Sequence, residues 1–586
     1  MKNIFKLLAF LPLLTACDDL FEPAPENYRD KDAMYDEAAY ALGILLNGYT
    51  CIPTNSWSFS DVATDDAVSN DPTNGYRKMA TGSWTSSNNS EDIWGKGFAV
   101  IQYMNIMLEE ADKVKWDSQE NLNRMFADRT KGEAYALRGL FMYYLLRAHG
   151  GWSEDGKLLG VPIWTESVGI DADFNRSRAT FEECMKQMYD DFESAEEFLP
   201  LDFNNIDTDA EVPAKYSGIS KGDYNRVFGI NSRLRLTKRI IEGIRARAAL
   251  MAASPAYAEG NTTTWEDAAN YAAQVLDRIG GVSGLDNNGL TWYNNHTEID
   301  NLGEGSNPKE ILWRNNIDKN SNSIESDNYP PTLYGSGRIN PTQNLVDAFP
   351  MANGYPITDT EHSGYVATTP YESRDPRLAK YIVFNGSKMG PSETTITSVG
   401  SSTNDGVNQT ETSTRTGYYM RKLLREDVNL DPLTTNKQNH YTPHIRYTEM
   451  FLSYAEAANQ AWGPTGTGGH AYSAYDVIKA IRERAGVGLD NGDPYLESVK
   501  NNKDKMNELI RNERRLELCF EGFRFWDLRR WKANITETAR GINLQNGAYS
   551  PTNVENRLYQ EYMYYGPIPH SEILKWDALI QNKGWK

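Results

Sequence analysis

Residues 240–253 and 265–279 both carry apolar residues at helical spacing, with small side chains gathered on one face of each. Ala246, Ala249 and Ala253 line the first; Ala268, Ala269, Ala272 and Ala273 line the second. Two antiparallel helices approach closely only where their facing side chains are small, which is the packing that tetratricopeptide-type hairpins use. The turn SPAYAEGNTTT joins them, and Thr263 with Glu266 reads as the cap of the second helix. A similar pair recurs at Tyr447 to Trp462 and Tyr472 to Ala485. The period is too irregular for a repeat array, so the expectation is a mostly α single fold with such hairpins inside it.

Further helices follow from the same periodicity over residues 91–114, 129–149 and 181–198, the last opening on a Thr180/Glu183 capping box. Between residues 280 and 440 the periodicity fades, while Asn, Gly, Ser and Thr rise. Residues 392–416 are nearly devoid of large apolar side chains, and short strand-like pieces stand at 310–314 and 381–384. This reads as a loop-rich lobe containing short strands, carried by a helical scaffold of residues 31–279 and 445–535. Long loops of this kind are functional or mobile.

The N-terminus restricts where such a chain works. Residues 1–16 combine Lys2 and Lys6, an apolar run to Leu14 and small residues before Cys17, the parts of a secretory signal. That run is too short to span a bilayer. Leu14-Thr15-Ala16-Cys17 resembles a bacterial lipobox, whose cysteine is acylated and becomes the new N-terminus. Residues 17–30 are acidic and Pro-containing and read as a lipidated tether, so residues 31–586 form the folded body, anchored to a membrane without spanning it. With Cys17 lipidated, Cys51, Cys184 and Cys519 offer neither a disulfide framework nor a CxxC metal site. A net charge of −20 argues against nucleic acid as a partner. The seven histidines form no HExxH set. Asp61, Asp65 and Asp66 lack EF-hand spacing, so no cofactor is expected and a structural calcium ion there is unsupported.

Residues 511–531 read RNERRLELCFEGFRFWDLRRW, with Leu516, Cys519, Phe520 and Phe523 on one apolar helical face. Glu517 and Glu521 lie one turn apart, which invites a glycosidase-type carboxylate pair. Arg514, Arg515 and Arg524 are within helical reach, however, and keep both ionised, whereas a general acid needs a raised pKa. Structural ion pairing is the expectation.

The same segment closely resembles the C-terminal signature of the SusD/RagB family of outer-membrane nutrient-binding lipoproteins. Other matches fall in the family's order: EAYALRGLFMYYLLRAHGG, then Gly160-Val161-Pro162-Ile163, RATFEECMKQMYDDFESAEEFLP and the alanine-rich hairpin near Ala249. The stretch 341–349, Asp375-Pro376-Arg377, IRYTEMFLSYAEAANQ and Gly566-Pro567-Ile568-Pro569 complete the set. The resemblance implies a SusD-like α-rich fold and a surface lipoprotein that caps a SusC-like TonB-dependent β-barrel transporter. Members of the family hold glycans, and some hold peptides, for import; they are binding proteins without hydrolytic activity.

In this family glycan contacts commonly come from aromatic residues on loops over one face, not from the signature helix. Trp84 lies in a polar loop with Asn88 and Asn89, Trp292 in an Asn-rich loop, and Trp313 just before Arg314 and Asn315. Tyr329 and Tyr334 flank a Pro-Pro turn. A row of these five rings would stack on successive sugars while Asn88, Asn89, Arg314 and Asn315 bind hydroxyls. For Trp313 the competing expectation is a core anchor on a short strand. Trp94, Trp462, Trp526 and Trp531 fit helical apolar faces and read as core. On this reading Trp84→Ala and Trp292→Ala each weaken glycan binding and leave the helical circular dichroism unchanged. The alternatives are peptide capture by the same fold, a surface glycoside hydrolase, and a scaffold that binds only protein.

Overall fold

Small residues set how closely the helices pack. The computed structural model describes residues 31–586 apart from Asn55, Ile170 and Asn546; the expected signal peptide, the tether and Cys17 lie outside the described residues. Helices Trp94–Glu110, Glu120–His149 and Phe181–Phe198 pack in succession. The middle helix begins before the expected position 129, because Leu122 and Met125 extend its buried face. Its Gly139 permits close approach to the next helix, since a Cβ there would lie 2.5 Å from Phe192. The Thr180 capping box is formed: the Thr180 hydroxyl accepts the Glu183 N–H at 3.2 Å, and the Glu183 carboxylate accepts the Thr180 N–H at 2.8 Å.

Both hairpins are present, as Lys238–Ala253 with Trp265–Asp277 and Tyr447–Trp462 with Ala474–Ala485. The Tyr447–Trp462 helix also packs on Trp265–Asp277, so the two hairpins stack on each other. All seven alanines that define the first hairpin are buried. Its cap lies one residue later than the expected Thr263/Glu266 pair: Thr264 and Asp267 form the box. Three successive threonines are equivalent in local pattern. Tertiary contacts separate them, because Thr262 is held by Glu182 and the Thr263 N–H by Asn261.

In the loop-rich lobe the strands pair only in twos, and the described residues form seven two-stranded antiparallel sheets. Strand Ile311–Arg314 pairs with Pro443–Arg446, which runs directly into the Tyr447–Trp462 helix and ties the lobe to the scaffold. The polar stretch 392–416 is anchored at its end: the Ser398 hydroxyl donates to Gly417 O and that of Thr414 to Tyr418 O, both at 2.7 Å. A late hairpin, Ala539–Gln545 with Ala548–Glu555, lacks a clear apolar alternation and has no sequence signal. Among the described residues, no helix is long and apolar enough to cross a membrane.

The signature segment is not one continuous helix. Helix Lys503–Glu517 stops, Phe520 and Gly522 adopt positive φ (62° and 76°), and a second helix runs Arg524–Arg530. The expected single helical face is therefore broken. Leu516, Cys519 and Phe520 are nevertheless buried, held by the lobe instead.

Candidate functional site

The break at 518–523 turns Glu517 and Glu521 toward partners that helical spacing does not reach. Arg377 bridges Asp375, Glu513 and Glu517 at 2.7, 2.8 and 2.9 Å. Arg484 completes Glu517 at 3.0 Å, and Lys422 and Arg446 hold Glu521 at 2.6 and 2.7 Å. Burial alone would push the Glu517 and Glu521 carboxyls up, but these cations outweigh it and hold both below the usual carboxylate range. Neither is poised as a general acid. Of the arginines expected to pair with them, Arg514 binds Asp527 at 2.7 Å, while Arg515 and Arg524 bind Asp65 at 2.9 and 2.8 Å. The acidic loop considered for calcium thus faces arginine. Among the described residues no group of three or more His, Cys, Asp or Glu is placed to hold a metal ion.

Beside this network opens a cleft of about 670 Å³, where the end of the Glu120–His149 helix meets the Lys238–Ala253 helix, residues 441–446 and the signature turn. Arg147, in the last turn of its helix, sits 4.4 Å from the ring centroid of Trp526 and 5.5 and 5.4 Å from those of Tyr143 and Tyr144. Its Nε is buried without an acceptor. Elsewhere in the cleft the charges are matched: Arg247 grips Glu449 through two hydrogen bonds of 2.7 and 2.6 Å. Burial, aided by Arg247, pushes His444 down to about 4, so that imidazole is neutral near pH 7. Trp292 and Tyr441 form another part of the lining, with ring centroids 5.6 Å apart. Glu91 is raised by burial, partly offset by Arg147 and Tyr76. Its neighbour Asp92 accepts the Trp94 N–H at 2.8 Å and faces His149. Aromatic rings alternating with fixed charges suit a ligand with apolar faces and many hydroxyls.

The residues picked from sequence do not form a row of exposed rings. Trp84 is 3% exposed and packs on Phe525, Tyr559 and Trp585 at 5.9, 6.0 and 5.0 Å. Asn89 accepts its indole N–H at 3.0 Å, and Asn88 donates to Ser83 O at 2.8 Å, so both amides hold the loop itself. Trp313 is a buried strand residue whose indole donates to Leu234 O at 2.9 Å. Arg314 is buried and donates to Asn315 O and Ser306 O, while Asn315 pairs with Thr442. Tyr329 is buried, its hydroxyl donating to Arg425 O at 2.7 Å. Tyr334, 58% exposed, lies outside the cleft lining. Trp292 alone among these nine reaches the cleft, and its indole N–H is buried without a partner. Truncating Trp84 is accordingly expected to cost about 3–5 kcal/mol of stability, as for large aromatic core residues. Chemical denaturation of Trp84→Ala checks this, and a wild-type midpoint contradicts it.

Arg147 is not among the residues the sequence points to, and Trp526 is expected there as core, whereas it lines the cleft. Trp526 fits a helical apolar face yet remains half-buried, and Arg147 continues the apolar stripe YYLLRAHG. The usable signal was an arginine immediately after an aromatic stripe with no acidic residue at helical spacing behind it.

Two family models match the chain. That of the SusD family covers residues 309–585, and one described as starch-binding associating with outer membrane covers residues 42–222. SusD-like protein P38 of Formosa agariphila is 22% identical over 554 residues, covering 90% of this chain and 91% of its own. A SusD-like protein of Bacteroides fragilis superposes with a TM-score of 0.69 at 22% identity, over 96% of this chain and all (100%) of that one. A SusD-like carbohydrate-binding protein of the same organism gives 0.66 at 19% identity, over 93% and 99%.

Proposed function

Because the chain belongs to the SusD family, we propose that it captures oligosaccharides at the cell surface in the Arg147–Trp526 cleft and delivers them to a SusC-like TonB-dependent transporter of the outer membrane. Lipid on Cys17 holds the protein at that membrane and so close to its partner. The observation that carries the choice of cleft is the half-buried Trp526 beside an arginine with no salt bridge among the described residues. Buried polar atoms left unpaired inside a fold are uncommon and costly, and a ligand that meets them recovers that cost.

Capture without turnover is the reading, because the cleft acids other than the raised Glu91 are engaged. Glu449, Glu521 and Asp527 each pair with arginine. Asp92, beside the raised Glu91, is engaged with the Trp94 N–H and His149. A glycosidase needs a protonated acid and a second, free carboxylate across the bond. A glycan array probed with the purified protein tests the proposal: binding to a defined set of oligosaccharides, without release of reducing ends, is expected. Binding only to peptides, or glycan hydrolysis, overturns it.

A further inference from the structure

Cations and anions in the cleft are unevenly matched at one end. Arg247, Arg446, Arg514 and Arg530 each hold a carboxylate within 2.8 Å. Arg147 and Arg529 hold none within salt-bridge distance among the described residues. Arg529 is 2% exposed; its Nη1 donates to Phe525 O at 3.1 Å, while its Nε and Nη2 have no acceptor in hydrogen-bonding geometry. Its guanidinium lies 3.4 Å from the Phe525 ring centroid and 4.9 Å from that of Tyr559. Arg147 is likewise held by aromatic rings, with Nε buried and unpaired. Lys96 adds an exposed cation to the lining. Glu91 is the carboxylate that senses both arginines, and the second acid nearby, Asp92, is committed to the Trp94 N–H and His149.

We propose that this end of the cleft is a subsite for an anionic group on the glycan, a carboxylate or a sulfate ester, received by Arg147 with Arg529 as supporting charge. Guanidinium offers forked donors that match either oxyanion, and stacking on aromatic rings fixes the fork without neutralising it. The overall charge of −20 does not oppose this at short range. Charges beyond about 8 Å are largely screened at physiological ionic strength, whereas a half-buried pair is screened much less. The inference rests on the proposed glycan-binding role of the cleft and adds a ligand class to it.

Two matched pairs test it by calorimetry on the intact protein: tetragalacturonate against its methyl ester, and a sulfated carrageenan tetrasaccharide against its desulfated form. The charged member of at least one pair is expected to bind about ten-fold or more tightly than its neutral twin. Which pair responds identifies carboxylate or sulfate. In Arg147→Gln that ratio falls to near one, and in the wild type it shrinks as salt is raised. A ratio near one in both pairs, or a ratio that survives Arg147→Gln, overturns the inference. If none of the four binds while a neutral glycan on the array does, the inference falls and the proposed function stands; if no glycan binds, both fall.

Discussion

Arg377→Met is expected to destabilise the fold by about 3–5 kcal/mol, the usual consequence of removing one partner from a buried ionic cluster. Arg377 is fully buried and meets three carboxylates, of Asp375, Glu513 and Glu517. Met fills similar volume but leaves those charges short of a cation, although Arg482 and Arg484 still reach Glu513 and Glu517. The effect depends on pH with a definite sign. Burial alone would raise Glu513 and Glu517, but Arg377 and its neighbours overcome it and hold both below the usual range. Between those lowered folded values and about 4.3 in the unfolded chain, the unfolded state binds more protons, so wild-type stability falls as pH drops through that window. Above about 4.3 the contribution is complete. The deficit of Arg377→Met is therefore full at pH 7 and narrows in acid, because without Arg377 the buried carboxylates take up protons at higher pH in the folded variant than in the wild type. Urea titrations of both proteins at pH 7 and pH 3.5 measure it. A deficit below 1 kcal/mol at pH 7, or one that widens in acid, contradicts the assignment.

Trp526→Ala is expected to reduce affinity for the oligosaccharide selected on the array by about 2 kcal/mol or more, roughly thirty-fold. The indole is the largest ring surface that the signature segment gives to the cleft, and its loss also removes the platform that fixes Arg147. Trp526 is half-buried, so its truncation exacts less from the fold than that of a fully packed ring. Calorimetry gives the affinity, and a thermal melt of the same sample separates lost binding from lost structure. A folded Trp526→Ala protein with wild-type affinity removes the cleft from consideration.

What was legible in the sequence was local. The alanine faces of the two hairpins and the Thr180/Glu183 box depend on residues three or four apart, and both are formed. Ion pairing of Glu517 and Glu521 was legible as a principle, but not with its partners. Those come from Arg377, Lys422, Arg446 and Arg484, because the chain reverses at Phe520, a residue with no intrinsic preference for positive φ. Loop aromatics misled for a related reason. Trp84 is buried by Phe525, Tyr559 and Trp585 from the far end of the chain, and the polar residues around it satisfy its indole and its own turn. A polar loop can thus enclose a core ring. Conversely, Trp526 has helical core periodicity, yet the cleft that keeps it half open is assembled from segments hundreds of residues apart.

The crystal structure of the complex with the tightest oligosaccharide from the array tests the central claim most directly. A sugar ring in contact with Trp526, with a polar substituent at the Arg147 guanidinium, is the result predicted. A sugar seated on Tyr334 or on another surface, with the Arg147–Trp526 cleft unchanged, would contradict it.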